Sequence, residues 1–135
     1  MNNKNLLLVE DDPFVSRIII NTLLEFNPSI GVYLAETGEE ALNELKERAF
    51  SIILLDIELP LVDGLEILRI TKPSYYSPFI MISANRSNIY INKAYYYGAS
   101  SYLCKIPLEP FLSSLLIGLD FYLNNCQLPT SEDKF

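Results

Sequence analysis

Five short strand-like runs alternate along the chain with segments whose apolar positions recur every three or four residues. The runs are Leu6–Val9, Ile30–Ala35, Ile52–Leu55, Phe79–Ile82 and Ser101–Cys104. Between them, Asp12-Pro13 opens a helix with an N-cap and a proline at its first position, and Val15, Ile18, Ile19, Thr22 and Leu23 form its inner face. Thr37-Gly38-Glu39-Glu40 reads as a capping box for a second helix with Ala41, Leu42 and Leu45 inward. A third, short helix is expected from about Asp63 to Ile70, a fourth from about Ser87 to near Gly98, and a fifth from about Leu108 to Asn124. Leu-Leu-Leu-Val, Ile-Ile-Leu-Leu and Phe-Ile-Met-Ile do not alternate with polar residues, which marks strands buried on both faces. Strands separated by single helices imply right-handed crossovers and a parallel sheet covered on both sides. The second and fifth runs are less continuously apolar and belong at the edges, so the expected architecture is a doubly wound five-stranded parallel sheet in the order 2-1-3-4-5, the flavodoxin-like α/β arrangement.

Composition narrows the class. The 135 residues suffice for one domain with its own core, and half of them are apolar, which excludes disorder. No apolar run approaches the ~20 residues of a membrane span, and the start, Met-Asn-Asn-Lys-Asn, is no signal peptide. Cys104 and Cys126 make neither a disulfide framework nor a zinc spacing, so a reduced, cytoplasmic setting is expected. A net charge of −7 argues against direct binding to nucleic-acid phosphates. With no histidine in the chain, imidazole ligands and a phosphohistidine on this protein are both excluded.

The chemistry sits where the apolar runs stop. The first ends at Glu10-Asp11-Asp12 and the third at Asp56, and ligands of open parallel sheets bind beyond the carboxyl ends of the strands. Glu10, Asp11 and Asp56 would then share one pocket, where mutual repulsion calls for a hard cation such as Mg²⁺. The fourth run adds the hydroxyl of Ser83 and the fifth the ammonium of Lys105. A carboxylate nucleophile attacking a phosphoryl donor needs those parts: a metal, a fixed cation and a hydrogen-bond donor. Asp12 is read as the cap of the first helix, and Pro60 and Gly64 as a turn followed by flexible backbone at a helix start.

Four segments in order, Leu-Leu-Leu-Val-Glu-Asp-Asp-Pro, Asp56-Ile-Glu-Leu-Pro-Leu-Val-Asp-Gly64, Ile82-Ser83-Ala84 and Gly98-Ala-Ser-Ser-Tyr-Leu-Cys-Lys105, carry a resemblance. The chain resembles a receiver domain of two-component response regulators, of the single-domain chemotaxis type, over about residues 4–124. Residues 125–135 are left as a C-terminal tail too short for an output domain, and Met1 just ahead of the first strand suggests an N-terminal receiver. The resemblance implies that Asp56 accepts a phosphoryl group, that Asp11 binds Mg²⁺ directly and Glu10 through water, and that the Glu58 backbone carbonyl completes the ligands. It further implies that Ser83 turns toward the phosphate, that Lys105 pairs with it, and that Tyr102 is the switch aromatic. The phosphodonor would be a histidine kinase or a histidine phosphotransfer protein, and the chain a phosphoacceptor regulator rather than an enzyme. Glu58 and Asn85 occupy positions that in the family tune loss of the phosphoryl group.

One departure stands out. The family places proline directly after the last lysine, in a cis bond, whereas here the order is Lys105-Ile106-Pro107. A cis non-prolyl bond costs about 3–4 kcal/mol, so a trans Lys105–Ile106 bond or a cis turn moved to Ile106–Pro107 is expected. Charge is also uneven: residues 1–72 carry nineteen charged side chains, and residues 73–131 only Arg86, Lys93, Lys105, Glu109 and Asp120. Eight of nine tyrosines lie after residue 72, and Ile117 and Phe121 fall outside the expected inner stripe of Leu112, Leu115, Leu116, Leu119 and Tyr122. Aromatics without charge suit an interface built from helix four, strand five and helix five, either for a downstream protein or for self-association. The competing reading is a receiver-like interaction module that is never phosphorylated. An aspartate-nucleophile phosphatase would want a second aspartate where Glu58 stands, and a flavin carrier would want a phosphate-cradling loop where Glu10-Asp11-Asp12 stands.

Overall fold

The computed structural model describes residues 4–126. Five parallel strands, β1 (Asn5–Val9), β2 (Gly31–Ala35), β3 (Ile52–Asp56), β4 (Phe79–Ser83) and β5 (Ser101–Cys104), pair in the order 2-1-3-4-5. The helices are α1 (Pro13–Phe26), α2 (Gly38–Glu47), α3 (Gly64–Thr71), α4 (Asn88–Tyr96) and α5 (Leu108–Asp120). This is the doubly wound arrangement expected from the runs, with the two less apolar strands at its edges.

The missing alternation has a direct cause: each central strand feeds two cores. Leu7, Val9, Ile53, Leu55, Phe79 and Met81 pack on one side with Ala41, Leu45, Ile67, Leu68 and Ala94 from α2, α3 and α4. Leu6, Leu8, Ile52, Leu54, Ile80 and Ile82 pack on the other with Ile19, Leu23, Phe111, Leu115 and Leu119 from α1 and α5. Every position of β3 and β4 is buried, and that includes their last residues, Asp56 and Ser83. The two polar side chains therefore belong to the strands and do not lie beyond them.

The helix starts follow their capping chemistry. Asp12 accepts from the Phe14 and Val15 amides, Asp63 from Glu66, and Ser87 from Ile89. Thr37 accepts from the Glu40 amide, but Glu40 reaches back to the Glu36 amide rather than to that of Thr37, so the capping box is displaced by one residue. On α1 the fully buried positions are Ser16, Ile19 and Leu23, while Val15, Ile18 and Thr22 are half-buried. The fifth helix departs most from expectation. Phe111, Leu115 and Leu119 form its buried stripe, with Leu112, Leu116 and Tyr122 only partly covered. Its α-helical part stops at Asp120 and a wider π turn covers Phe121–Asn125. The tail expected from residue 125 thus begins inside that turn, and residues 127–135 lie outside the described part. Among the described residues no helix is long and apolar enough to cross a membrane.

Two backbone positions are special. Gly98, after α4, has φ of 103°, which suits a residue without Cβ. Leu61, between β3 and α3, has φ of 71° and is fully exposed. Its side chain offsets none of the left-handed strain, which costs about 1–2 kcal/mol for an ordinary residue. Replacing Leu61 by Asn, which tolerates this region, should raise unfolding stability by about 0.5–1 kcal/mol in urea titrations, and Leu61→Val should lower it.

Candidate functional site

The register of the sheet sets the strand tips side by side. Val9 pairs with Leu55, Asp56 with Ile82, and Ser83 with Cys104. Backbone pairing runs on past the strand ends, from Ile57 N–H to the Ile82 carbonyl and from Lys105 N–H to the Ser83 carbonyl. Gly64 closes the loop behind Asp56. Its amide donates to the Ile57 carbonyl at 2.8 Å, and a Cβ there would come within 2.0 Å of the Asp56 carbonyl oxygen. Close approach rather than flexibility is what requires glycine at this position.

Glu10 and Asp56 are each 1 % exposed. Lys105 Nζ donates to Glu10 Oε1 and to Asp56 Oδ2, both at 3.0 Å, so one ammonium serves two buried carboxylates. The remaining oxygens take backbone amides: Glu10 Oε2 accepts from Asp12 N–H and Asp56 Oδ1 from Glu58 N–H, each at 3.1 Å. Asp11 stands exposed at the rim. Burial first, and then the neighbouring Glu10 charge, push the Asp56 carboxyl up to about 7, against the opposing pull of Lys105. Burial alone would lower the Lys105 ammonium, but Asp56 and Glu10 outweigh it and hold the group above its usual value.

One oxygen from each of Glu10, Asp11 and Asp56 lies within 4.8 Å of the other two. An oxygen-only donor set with excess negative charge fits a hard divalent cation. The pocket around it is lined by Glu10, Asp11, Asp12, Asp56, Glu58, Ala84, Asn85 and Lys105. Sequence reasoning thus located the three acids and Lys105 together. The cis bond lies at Ile106–Pro107, and Lys105 meets both carboxylates with its proline one residue further along the chain.

Ser83 at the tip of β4 and Tyr102 within the neighbouring β5 have partners that sequence reasoning missed. Ser83 Oγ donates to Glu58 Oε2 at 2.6 Å and accepts from Asn85 N–H at 2.9 Å. Tyr102 OH donates to the Asn85 carbonyl at 2.7 Å, and burial raises the pKa of this phenol. Sequence reasoning gave Glu58 a backbone carbonyl for the metal and a family position that tunes loss of the phosphoryl group, but its place two residues after Asp56 gave no hint of where its carboxylate points.

A parallel sheet with acids, a hydroxyl and an ammonium at its strand tips defines a receiver-type module. The family model for the response regulator receiver domain matches residues 6–112, and the chain belongs to that family. Receiver domains are phosphoacceptor regulatory domains, and they generally bind Mg²⁺ at an acidic cluster of this kind. The chain is 33 % identical over 106 residues to the transcriptional regulatory protein CrdR of Helicobacter pylori, covering 76 % of this chain and 48 % of that protein. It is 37 % identical over 103 residues to a protein-glutamate methylesterase/protein-glutamine glutaminase of Trichodesmium erythraeum, covering 74 % of this chain and 29 % of that one. The chain thus spans about half or less of the length of these curated relatives. Among solved structures, the phosphorylated cyanobacterial phytochrome response regulator RcpA superposes with a TM-score of 0.87 at 25 % identity, covering 96 % of this chain and all of that one. A CheY-like receiver domain protein of Methanospirillum hungatei gives 0.77 at 28 % identity, covering 90 % and 98 %.

The raised Asp56 pKa has a sign that can be checked. Between its ordinary value of 3.8 and about 7, the folded state holds a proton that the unfolded chain has released, so stability falls as pH rises through that window. In metal-free buffer Asp56→Asn should gain on the wild type between pH 4 and pH 8 by on the order of 2–4 kcal/mol, read by urea unfolding at both pH values. A difference that stays constant with pH would show that Asp56 is not held protonated by its surroundings.

Proposed function

We propose that this chain is a phosphorylation-controlled signalling switch of a two-component system or phosphorelay, a single receiver unit over residues 4–124 working in the cytoplasm. The observation that carries this reading is Asp56 at the tip of β3, buried, with the Lys105 ammonium at 3.0 Å and the Glu10 and Asp11 carboxylates beside it. The phosphoryl group would come from a phosphohistidine on a histidine kinase or histidine phosphotransfer protein. An Asp56 carboxylate oxygen attacks phosphorus, the P–N bond breaks, and its electron pair returns to the departing imidazole, which takes up a proton. Lys105 and the Ser83 hydroxyl then hold phosphoryl oxygens, and Tyr102 follows Ser83. Glu10, Asp11, Asp56 and the Glu58 backbone carbonyl would hold Mg²⁺, which supplies charge neutralisation on the transferring group.

The signal leaves by protein contact or by onward transfer to another protein's histidine. The contact surface in this reading is the face of α4, β5 and α5. It exposes Ile89 at 65 %, Tyr96 at 85 % and Ile117 at 73 %, with Phe121 in the turn that follows. Such apolar exposure with few charges suits a second copy of the chain or a downstream protein. The rival reading, a module that is never phosphorylated, drew its support from the displaced proline, and the Lys105–Asp56 contact weakens that support.

Incubation with Mg²⁺ and a small phosphodonor such as acetyl phosphate should add one phosphoryl group, read by intact mass. Asp56→Ala should abolish the gain, and a wild type that gains nothing would overturn the proposal. Tyr96→Ser combined with Ile117→Ser should leave that gain unchanged while removing phosphorylation-dependent association in sedimentation velocity. Wild type that stays monomeric in both phosphorylation states at high concentration would count against self-association through this face.

A further inference from the structure

Glu58 makes a contact for which phosphoryl transfer to Asp56 has no use. Its Oε2 takes the single hydroxyl proton of Ser83 at 2.6 Å, a short hydrogen bond to an ionised acceptor. Ser83 is fully buried, whereas Glu58 is exposed, so the carboxylate reaches in from the rim of the pocket. The bond does more than occupy one hydroxyl. Ser83 Oγ receives the Asn85 amide, and the Asn85 carbonyl receives the Tyr102 hydroxyl, so Glu58, Ser83, Asn85 and Tyr102 form one chain of hydrogen bonds from the pocket to β5.

We propose that Glu58 is a positioning residue that acts through Ser83. It latches the serine hydroxyl in the unphosphorylated protein and competes with a phosphoryl oxygen on Asp56 for its one proton. The proposal rests on the reading of Asp56 as phosphoacceptor and adds a regulatory element to it. A phosphoryl oxygen recruits Ser83 only by displacing the Glu58 carboxylate, so one charge-assisted bond is exchanged for another and the net gain from phosphorylation is small. The latch thereby holds the Asn85–Tyr102 end in its resting arrangement until the new acceptor displaces the old.

The test is calorimetric titration of the full chain with beryllofluoride, an anionic mimic of the phosphoryl group, in the presence of Mg²⁺. Glu58→Ala should tighten binding about tenfold, the scale of a hydrogen bond to a charged group. Glu58→Gln, which keeps an acceptor but no charge, should gain distinctly less. In a Ser83→Ala background, Glu58→Ala should gain nothing, because no hydroxyl remains to be released. Equal gains in the Ala and Gln variants, or a gain that persists without Ser83, would mean that Glu58 acts only by repelling the anion, and the latch would be overturned. It would be overturned equally by a Glu58→Ala variant that binds no more tightly than a binding-competent wild type. A wild type that binds no beryllofluoride at all would instead remove the phosphoacceptor reading and the latch with it.

Discussion

One ammonium shared between two buried carboxylates is the constraint on which the rest of the site depends. Glu10 and Asp56 lie out of water on neighbouring strands, and neither would be tolerable there unpaired. The cation that pairs them comes from the end of β5, two strands away from β3, so Lys105 must span about 10 Å across the tip of β4. Ala84, just past the β4 tip, is small and lines the same pocket as Lys105. That span explains why the lysine amide continues the sheet ladder with the Ser83 carbonyl, because the stem needs a fixed origin. The residual negative charge, with Asp11 at the rim, leaves an oxygen donor set that suits a hard cation.

The acids around this pair divide by position rather than by type. Glu10 and Asp56 point inward and take backbone amides, whereas Asp12 and Asp63 turn onto helix N-termini and cap α1 and α3. The caps fix where those helices begin, and α3 begins against the backbone of Asp56 itself, at the contact that excludes any Cβ from Gly64. The connection from β3 to α3 must therefore turn tightly, and a leucine with positive φ stands within it. Local strain at Leu61 and close packing at Gly64 are two consequences of bringing one helix start up to one strand tip.

The sheet order and most of the site were legible because both depend on where burial ends. A strand covered on both faces shows as a short unbroken apolar run, and the polar residue that stops it marks the tip; Asp56, Ser83, Glu10 and Lys105 were found that way. Features set by rotation or reach were not legible. The segment Leu108–Leu123 is apolar nearly all round, so periodicity could not choose between a stripe starting at Leu112 and the real one at Phe111. The direction of the Glu58 carboxylate depends on a loop conformation and on a partner 25 residues away. Asn85 was missed as a connector because its contribution to Ser83 and Tyr102 is made by its backbone, which no side-chain motif records.

The fold also determines where a change at Asp56 can be felt. β3 is buried at every position and sits between two cores, so it has no second arrangement within easy reach. The opposite holds at the edge: α4 buries only Ala94, and all four residues of β5 are half-buried. Segments held by few buried contacts open and shift at the least free-energy cost. Ser83 and Asn85 stand between the stiff strand and this loosely held edge, and Tyr102 on β5 is joined to them through one backbone carbonyl. A charge added at Asp56 therefore meets a rigid wall behind it and yielding elements in front. Of these yielding elements, α4 also carries the exposed Tyr95 and Tyr96.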